Sequence, residues 1–358
     1  MSAITTKAGF KLSQTRLSTT FNGLNQMTAI LTNPVTEEPG TSFKRPIAAL
    51  DAGNRSTQWI DPKGNVQTIP SFVKILEPWE DAEPCEDSVL VELFNKHGQT
   101  ETRFIIGAEA QILKGKPAFE FNKVDLAKYL MFAALEPNIG QNTLIIECLR
   151  VALPDSRHQE NVKRLGELAN TYEFTRNGER VYSTVRAVQP VDETKPAYVY
   201  ARANGLFKAP KSVNGVLDLG GGTAIGRLYT PSGSAIRGAD VNVPGTFELA
   251  SRINAALMPT TGQTQDLSLI MDAIRDRTFV IGTSGINFSH CFEKCRDSWL
   301  EDIRAKLRVT WGKHFAEIGE VLIIGGSAPL AAPIEQSTKG RFRVAPNSQE
   351  ISIRGMAL

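Results

Sequence analysis

One local pattern occurs twice in this chain, and it limits the folds that the chain can adopt. Each copy has an apolar strand-like run, an acid, glycine, a second strand-like run and a turn that contains proline and glycine. The first copy has its acid at Asp51 and its turn at residues 62–64; the second has Asp218 and residues 231–233. Strand and helix patterns alternate in both halves, which is typical of α/β proteins. We therefore expect two similar α/β domains that face each other across a cleft.

The bulk composition excludes several classes of protein. The chain has 358 residues, enough for two domains with large cores. Its 40 basic and 38 acidic residues nearly cancel, so direct binding to nucleic acid is not expected. The sequence contains neither an apolar run long enough to span a membrane nor an apolar signal core, and its four cysteines are scattered. These features predict a cytoplasmic protein with reduced thiols and no membrane partner.

Residues 1–45 differ in composition from the rest of the chain. Residues 1–26 are rich in serine and threonine and contain no acid, and proline and glycine punctuate residues 32–46. We predict a flexible N-terminal extension, with regular structure beginning at Pro46. The alternative is a docking segment for a neighbouring subunit or another partner.

Three glycine-containing turns follow strand-like runs. Glycine allows backbone N–H groups to converge on an anion without interference from a side chain. Such groups are also free where a strand leads into a helix. The candidate phosphate-binding residues are Gly53, Asn54 and Ser56 in the first turn, Gly220, Gly221, Gly222 and Thr223 in the second, and Gly325, Gly326 and Ser327 in the third.

The two acids of the repeated pattern would repel a phosphate unless a cation lies between the carboxylates and the phosphate. Asp51 and Asp218 each stand at the end of a strand-like run, beside a glycine turn. Mg²⁺ retains several waters, and carboxylates often hold it through them while phosphate binds it directly. The sequence therefore predicts a magnesium site in which Asp51 and Asp218 act through water.

The three turns, taken in this order, resemble the two phosphate motifs and the adenosine motif of the actin, sugar-kinase and heat-shock-chaperone ATPases. The resemblance covers residues 46–358 and is greatest to the ParM-type bacterial and plasmid actins, in residues 150–168, 188–201 and 347–358. It implies an α/β fold of two ribonuclease-H-like domains around a nucleotide cleft. Domain I would comprise residues 46–205 with 340–358 returning to it, and domain II residues 206–339. ATP or GTP with Mg²⁺ would be the ligands.

The resemblance also implies roles for single residues. It places the catalytic glutamate at Glu193, where a carboxylate between the domains orients the attacking water; Asp192 beside it is the alternative. Arg275 is the candidate for contact with the ribose. The first phosphate motif of the family usually has a lysine where this chain has Gln58. That difference predicts slower hydrolysis or weaker nucleotide affinity.

The function that follows is a filament-forming, cytoskeletal ATPase whose polymerisation depends on ATP. By resemblance, its cellular role would be plasmid or DNA segregation through a DNA-binding adaptor protein. A small-molecule kinase of the same fold and a catalytically weak structural relative are the alternatives. A chaperone would require a peptide-binding domain after the ATPase fold, and the sequence ends with that fold.

Overall fold

A computed structural model describes residues 31–32, 43–118 and 123–358. The predicted N-terminal extension therefore lies outside the described residues, apart from residues 31–32 and its last three residues. Within the described residues, no helix has both the length and the apolar character needed to cross a membrane.

The described elements alternate between strands and helices in both halves. The strands are β1 Leu31–Thr32, β2 Phe43–Ala52, β3 Ser56–Ile60, β4 Val66–Pro70, β5 Phe72–Ile75, β6 Ser88–Phe94, β7 Thr100–Gly107, β8 Lys116–Pro117, β9 Thr143–Leu153, β10 Thr171–Arg176, β11 Glu179–Val185, β12 Ala187–Asp192, β13 Val213–Leu219, β14 Thr223–Tyr229, β15 Val241–Pro244, β16 Ile318–Ile324 and β17 Phe342–Val344. The α-helices are α1 Ala108–Ile112, α2 Lys123–Ala134, α3 Gln159–Gly166, α4 Thr194–Ala203, α5 Thr246–Thr261, α6 Leu267–Arg275, α7 Ser289–Trp311, α8 Ala332–Ser337 and α9 Ile351–Met356.

The two sheets have cores with the same strand order. In the first, β4, β3 and β2 are antiparallel neighbours, β9 lies parallel to β2, and β12 lies parallel to β9. In the second, β15, β14 and β13 are antiparallel neighbours, β16 lies parallel to β13, and β17 lies parallel to β16. The prediction of two similar α/β domains is confirmed. The repeated acid-glycine pattern is the turn between the first two strands of each core.

The first sheet continues beyond this common core. Strand β9 is long enough to pair with β11 through its first half and with β12 through its second half. From β11 the sheet extends through β10, β6, β7 and β5 to β8. The hairpin of β10 and β11 turns at Asn177 and Gly178, whose φ angles of 50° and 85° suit a two-residue hairpin turn with positive φ at both positions.

Helices α4 and α9 pack against each other and join the two domains. Ala197, Tyr198 and Ala201 of α4 belong to an apolar cluster with residues of the second sheet, including Val216 and Leu322. On the other side, α9 contributes Ile353 and Met356 to a cluster with Ala49 and Ala152 of the first sheet. The two helices thus form a connecting layer, and any change in the angle between the domains must be accommodated there.

The structure corrects several sequence predictions at the level of boundaries. Strand β2 begins at Phe43, three residues before Pro46, and β1, inside the predicted extension, pairs with β12. Residues 342–344 belong to the second sheet, so the return to domain I begins after β17 rather than at residue 340.

Helix α3 begins at Gln159, after a turn at Asp155. His158 caps it by accepting a hydrogen bond from the backbone N–H of Asn161. Asp155 lies in the preceding turn, where its carboxylate accepts a hydrogen bond from the backbone N–H of Arg157.

Gly355 of α9 lies directly against the backbone of α4, and its substitution should destabilise the protein. A Cβ atom at residue 355 would lie 2.1 Å from the carbonyl oxygen of Pro196, so the backbone would have to move. We expect Gly355→Ala to lower the free energy of unfolding by about 1–3 kcal/mol, the usual cost of overpacking. Gly312→Ala is the matched control, because a Cβ at residue 312 meets nothing within 4 Å. Equal urea midpoints for the two variants would contradict this account of the helix contact.

Candidate functional site

A cleft of about 870 Å³ lies between the two domains, and both copies of the repeated pattern face it. Asp51 near the end of β2 and Asp218 near the end of β13 line it from opposite sides. Glu193, directly after β12, lines it near the connecting layer. The cleft therefore collects the carboxyl ends of strands from both sheets, which is where open α/β sheets bind ligands.

The first two glycine turns meet across the cleft. A Cβ at Gly221 would lie 2.7 Å from Cβ of Arg55, and one at Gly222 would lie 2.5 Å from the amide nitrogen of Asn54. Only glycine leaves room for the opposite loop at these two positions. The backbones can thus approach a small ligand from both domains.

Unused backbone donors mark the same place. In the described part of the chain, the N–H groups of Asn54, Gly221 and Gly326 donate to no protein acceptor, and all three residues line the cleft. Backbone N–H groups that have no partner in the protein must bond to solvent or to a ligand. Donors from three separate loops favour an anionic ligand with several oxygens, such as a phosphate chain.

The third glycine turn lies directly behind Asp218. Gly325 has φ of 90°, and a Cβ there would be 2.4 Å from a carboxylate oxygen of Asp218. Ser327 also lines the cleft, but its N–H donates to the carbonyl of Leu219 and its hydroxyl bonds to that of Thr246. The turn is therefore fixed to the second sheet at the position where it supports Asp218.

Three carboxylates and one ammonium group meet at the floor of the cleft. The Nζ atom of Lys123 lies 2.7 Å from Oε1 of Glu193 and 3.4 Å from Oδ1 of Asp51. The Lys123 side chain is only 11% exposed. With Asp218 nearby, the group has two more negative than positive charges when all four residues are ionised.

These charges and their poor hydration shift the pKa values of Asp218, Asp51 and Lys123. Desolvation raises the pKa of Asp218 to about 8, and the negative charges of Glu193 and Asp51 add to the shift. Desolvation also raises the pKa of Asp51, against the opposing effect of Lys123. For Lys123, desolvation acts to lower the pKa, but Glu193 and Asp51 outweigh it and raise that pKa above its usual range. The ammonium group stays charged, and the site has capacity for further positive charge.

The two adjacent acids 192 and 193 have different surroundings. Asp192 forms ion pairs with Arg237 and Arg227, and its carboxylate accepts the backbone N–H of Ser156 at 2.9 Å. Glu193 faces the cleft and contacts Lys123. Geometry therefore favours Glu193 over Asp192 as the acid available to a ligand.

The remaining predicted residues line the cleft at various depths. Gly53, Ser56, Gly220 and Thr223 line the cleft together with Asn54 and Gly221 of the same two turns. Arg275 lies at the outer end, is 61% exposed and pairs with Asp276 and Asp272 of its own segment. A ribose contact by Arg275 would require one of these pairs to open.

A polar bridge that the sequence did not predict closes the mouth of the cleft. Arg55 of the first turn donates to the hydroxyl of Ser268 at 2.6 Å and forms an ion pair with Asp272, both on α6. Gln111 of α1 also donates to Asp272, at 3.2 Å. The bridge connects the first domain to the second on the side opposite the connecting layer.

Lys123 and Arg55 are the residues that sequence analysis missed. Lys123 opens an apolar helix far from each of the glycine turns, so only the folded chain brings it to Asp51 and Glu193. Arg55 stands inside the first turn, between two predicted ligand residues, and its position was the one available signal.

The residues present suit a hydrated divalent cation better than a directly ligated one. Within the described residues, no group of three or more His, Cys, Asp or Glu side chains is arranged to hold a metal ion. The surplus negative charge of the acids nevertheless favours a cation. A magnesium ion that keeps its waters and binds phosphate directly fits such a site.

Comparison with solved structures identifies the fold. An apo ParM protein from pSK41 superimposes with a TM-score of 0.63 and 16% identity, over 87% of this chain and 95% of that chain. A ParM from Clostridium botulinum, solved as a 15-stranded filament, gives 0.71 and 14%, over 88% and 98%. The archaeal actin homolog Ta0583, in complex with ADP, gives 0.66 and 17%, over 87% and 98%. No family model matches the sequence, and no curated protein matches it. The chain has the two-domain actin-like fold.

The raised pKa of Asp218 predicts a pH dependence of stability in metal-free protein. An unfolded aspartate titrates near 3.8, whereas folded Asp218 titrates near 8. The contribution of Asp218 to the free energy of unfolding is therefore complete below about pH 3.8, and it is lost as the pH rises to about 8. Asp218→Asn, which stays neutral, should lose much less stability than the parent between pH 5 and about 8 in urea unfolding with EDTA. Asp81→Asn, in an exposed loop, is the control; parallel pH profiles for parent and Asp218→Asn would contradict the assignment.

The polar bridge between Arg55 and α6 predicts an effect on the opening of the cleft. Arg55→Ala should favour the open cleft by up to about 1 kcal/mol, a factor of roughly five in the equilibrium, because the ion pair is partly exposed. Small-angle X-ray scattering should give a larger radius of gyration for Arg55→Ala than for Arg275→Ala. Arg275 pairs with the same Asp272 but from its own helix, so its loss leaves the two domains bridged. Identical scattering from both variants would count against a closing role.

Proposed function

We propose that this chain is an ATPase that assembles into filaments in a nucleotide-dependent manner. The observation that carries the proposal is the meeting of two acid-glycine turns, with unused N–H groups, around three carboxylates in an actin-like cleft. Solved structures of the same fold support the proposed assembly into filaments, since two of them are described as filaments: the Clostridium botulinum ParM and Alp12.

The proposed nucleotide lies along the cleft with its phosphates between the first two turns. Gly53, Asn54 and Ser56 would contact them from one domain, and residues 220–223 from the other. Gly325, Gly326 and Ser327 would support the nucleoside. Its base would reach the apolar end of the cleft, which includes Phe279, Phe292, Leu330 and Pro333. The ADP complex of Ta0583 supports a nucleotide as the ligand of this fold.

Mg²⁺ is the proposed cofactor, held through water by Asp51 and Asp218. When bound, it would supply positive charge to the phosphate oxygens during transfer. Asp218 would then lose the proton that it holds at neutral pH, because a nearby cation favours the carboxylate.

Glu193 is the proposed catalytic residue. Its carboxylate lies at the cleft floor at the start of α4, and its backbone carbonyl accepts a hydrogen bond from the hydroxyl of Ser352 at 3.4 Å. That bond holds the backbone of Glu193, while Lys123 contacts its carboxylate at 2.7 Å. A carboxylate held there would accept a hydrogen bond from water and orient the water towards the terminal phosphate. Phosphoryl transfer depends mainly on such positioning and on charge compensation.

The proposed cellular role is segregation of plasmid or other DNA in the cytoplasm through an adaptor protein. The near-neutral charge of the chain supports indirect rather than direct contact with DNA. The names of the ParM relatives support a place among bacterial and plasmid actins.

Sedimentation and imaging test the proposal directly. Purified protein should pellet with ATP and Mg²⁺, show filaments by electron microscopy, and release phosphate; without nucleotide it should stay in the supernatant. A small-molecule kinase would show metabolite-dependent ADP release and no polymer. A catalytically weak relative would bind nucleotide without turnover. Either result would overturn the proposal.

Glu193→Gln separates hydrolysis from assembly. The variant keeps the size and a hydrogen-bonding end of the side chain, so nucleotide binding and polymerisation should persist. Phosphate release should fall by roughly 10²–10⁴-fold, the usual contribution of a positioned acid or base. Light scattering should therefore stay high where the parent signal decays. Glu101→Gln, on an exposed stretch of β7, is the control; parent-like decay in Glu193→Gln would contradict the assigned role.

A further inference from the structure

We propose that Lys123 binds the terminal phosphate of the nucleotide and thereby distinguishes the triphosphate from the diphosphate. This inference rests on the proposed function of the cleft and assigns a residue from outside the three glycine turns. In the structure its ammonium group contacts Glu193 at 2.7 Å and Asp51 at 3.4 Å, and its side chain lines the cleft.

Residue 58 is neutral in this chain, so the positive charge beside Asp51 has to come from another residue. Gln58 pairs with Asp51 across β2 and β3, so both side chains lie on one face of the sheet. Gln58 is buried, neutral, and donates its amide hydrogen to the hydroxyl of Thr68 at 3.1 Å. A lysine at position 58 would bring its charge to Asp51 along the strand pair. In this chain the charge beside Asp51 comes from the start of α2.

The other cations that line the cleft lie away from Asp51 and Glu193 or have other partners. Arg55 is engaged with Ser268 and Asp272, Arg275 with Asp272 and Asp276, and Arg296 with Asp297. Arg277 is exposed in the turn after α6. Among the described cleft residues, Lys123 is the one cation with ion pairs to Asp51 and Glu193. It is thus the positive side chain nearest to where a terminal phosphate would meet the proposed catalytic acid.

The chemistry of lysine suits an exchange between partners. Its ammonium group is a compact charge on a flexible stem of four carbons, with three donors. Without nucleotide, Lys123 offsets the repulsion between Asp51 and Glu193. With a triphosphate and its metal ion, the acids gain a second cation, and one ammonium donor can bond to a terminal phosphate oxygen while another keeps Glu193 in place. A diphosphate lacks that oxygen, so the contact selects for the triphosphate.

Binding rather than turnover provides the decisive measurement. Calorimetric titration with Mg²⁺ would compare ADP with the slowly hydrolysed analogue AMP-PNP for the parent, Lys123→Met and Lys123→Arg. We expect Lys123→Met to weaken AMP-PNP binding about 10- to 100-fold, as for loss of a charged hydrogen bond. Binding of ADP should change much less and also reports that the variant is folded. Lys123→Arg, which keeps the charge, should recover part of the difference.

A second variant moves the cation to the other side of Asp51. In Gln58→Lys/Lys123→Met, a lysine approaches the same acid from β3, so discrimination between AMP-PNP and ADP should return at least in part. A parent that binds neither nucleotide would defeat the proposed function itself. A parent that binds both, with Lys123→Met weakening both equally or neither, would overturn the inference and leave the proposed function standing.

Discussion

Like-charge repulsion at the cleft floor is the constraint around which the site is organised. Asp51, Glu193 and Asp218 come from three different strand ends. Burial leaves Asp51 and Asp218 poorly hydrated, and the Glu193 side chain is only 15% exposed. Lys123 cancels part of this charge, and a proton on Asp218 cancels another part at neutral pH. The free N–H groups of the glycine turns lie at the same place. One ligand can therefore meet both the negative carboxylates and the partly positive N–H donors. A phosphate chain with a hydrated magnesium ion matches both, whereas an anion or a cation alone matches one.

The connecting layer ties this charged floor to the arrangement of the domains. Glu193 is the last residue before α4, and the hydroxyl of Ser352 on α9 bonds to its carbonyl. The approach of Gly355 to Pro196 leaves little freedom between the two helices. A rotation of one domain must therefore shift the helices that hold Glu193. In the proposed mechanism, this connection would make hydrolysis depend on closure, and closure depend on the state of the nucleotide.

The sequence predicted the fold and the acid-glycine turns that line part of the cleft, because both follow from local patterns. The acid-glycine turns at Asp51 and Asp218 are contiguous in the chain, and their repetition indicated two equivalent domains. Contacts between distant segments were not predictable in this way. Lys123 is 72 residues from Asp51 and 70 from Glu193, and no motif surrounds it. The bridge from Arg55 to Asp272 spans 217 residues and joins two surfaces that are adjacent only after both domains have folded. The predicted domain boundary at residue 340 was wrong for a related reason. Strand β17 is a short edge strand, and its pairing with β16 depends on the finished sheet.

The two ends of the cleft differ in the kind of contact that holds them, and this difference bears on how it opens. At the connecting layer the contacts are apolar and close-packed, so their separation would expose hydrophobic surface. At the mouth the contacts are hydrogen bonds and a partly exposed ion pair, which water can replace at little cost. Opening should therefore occur as rotation about α4 and α9, with Arg55 and Gln111 releasing α6 while the layer stays intact. Such a motion would separate the two glycine turns without exposing a core, and under the proposed function it would admit the nucleotide. The bound ligand would then add, through phosphate contacts to both turns, the interdomain attraction that the mouth alone provides only weakly.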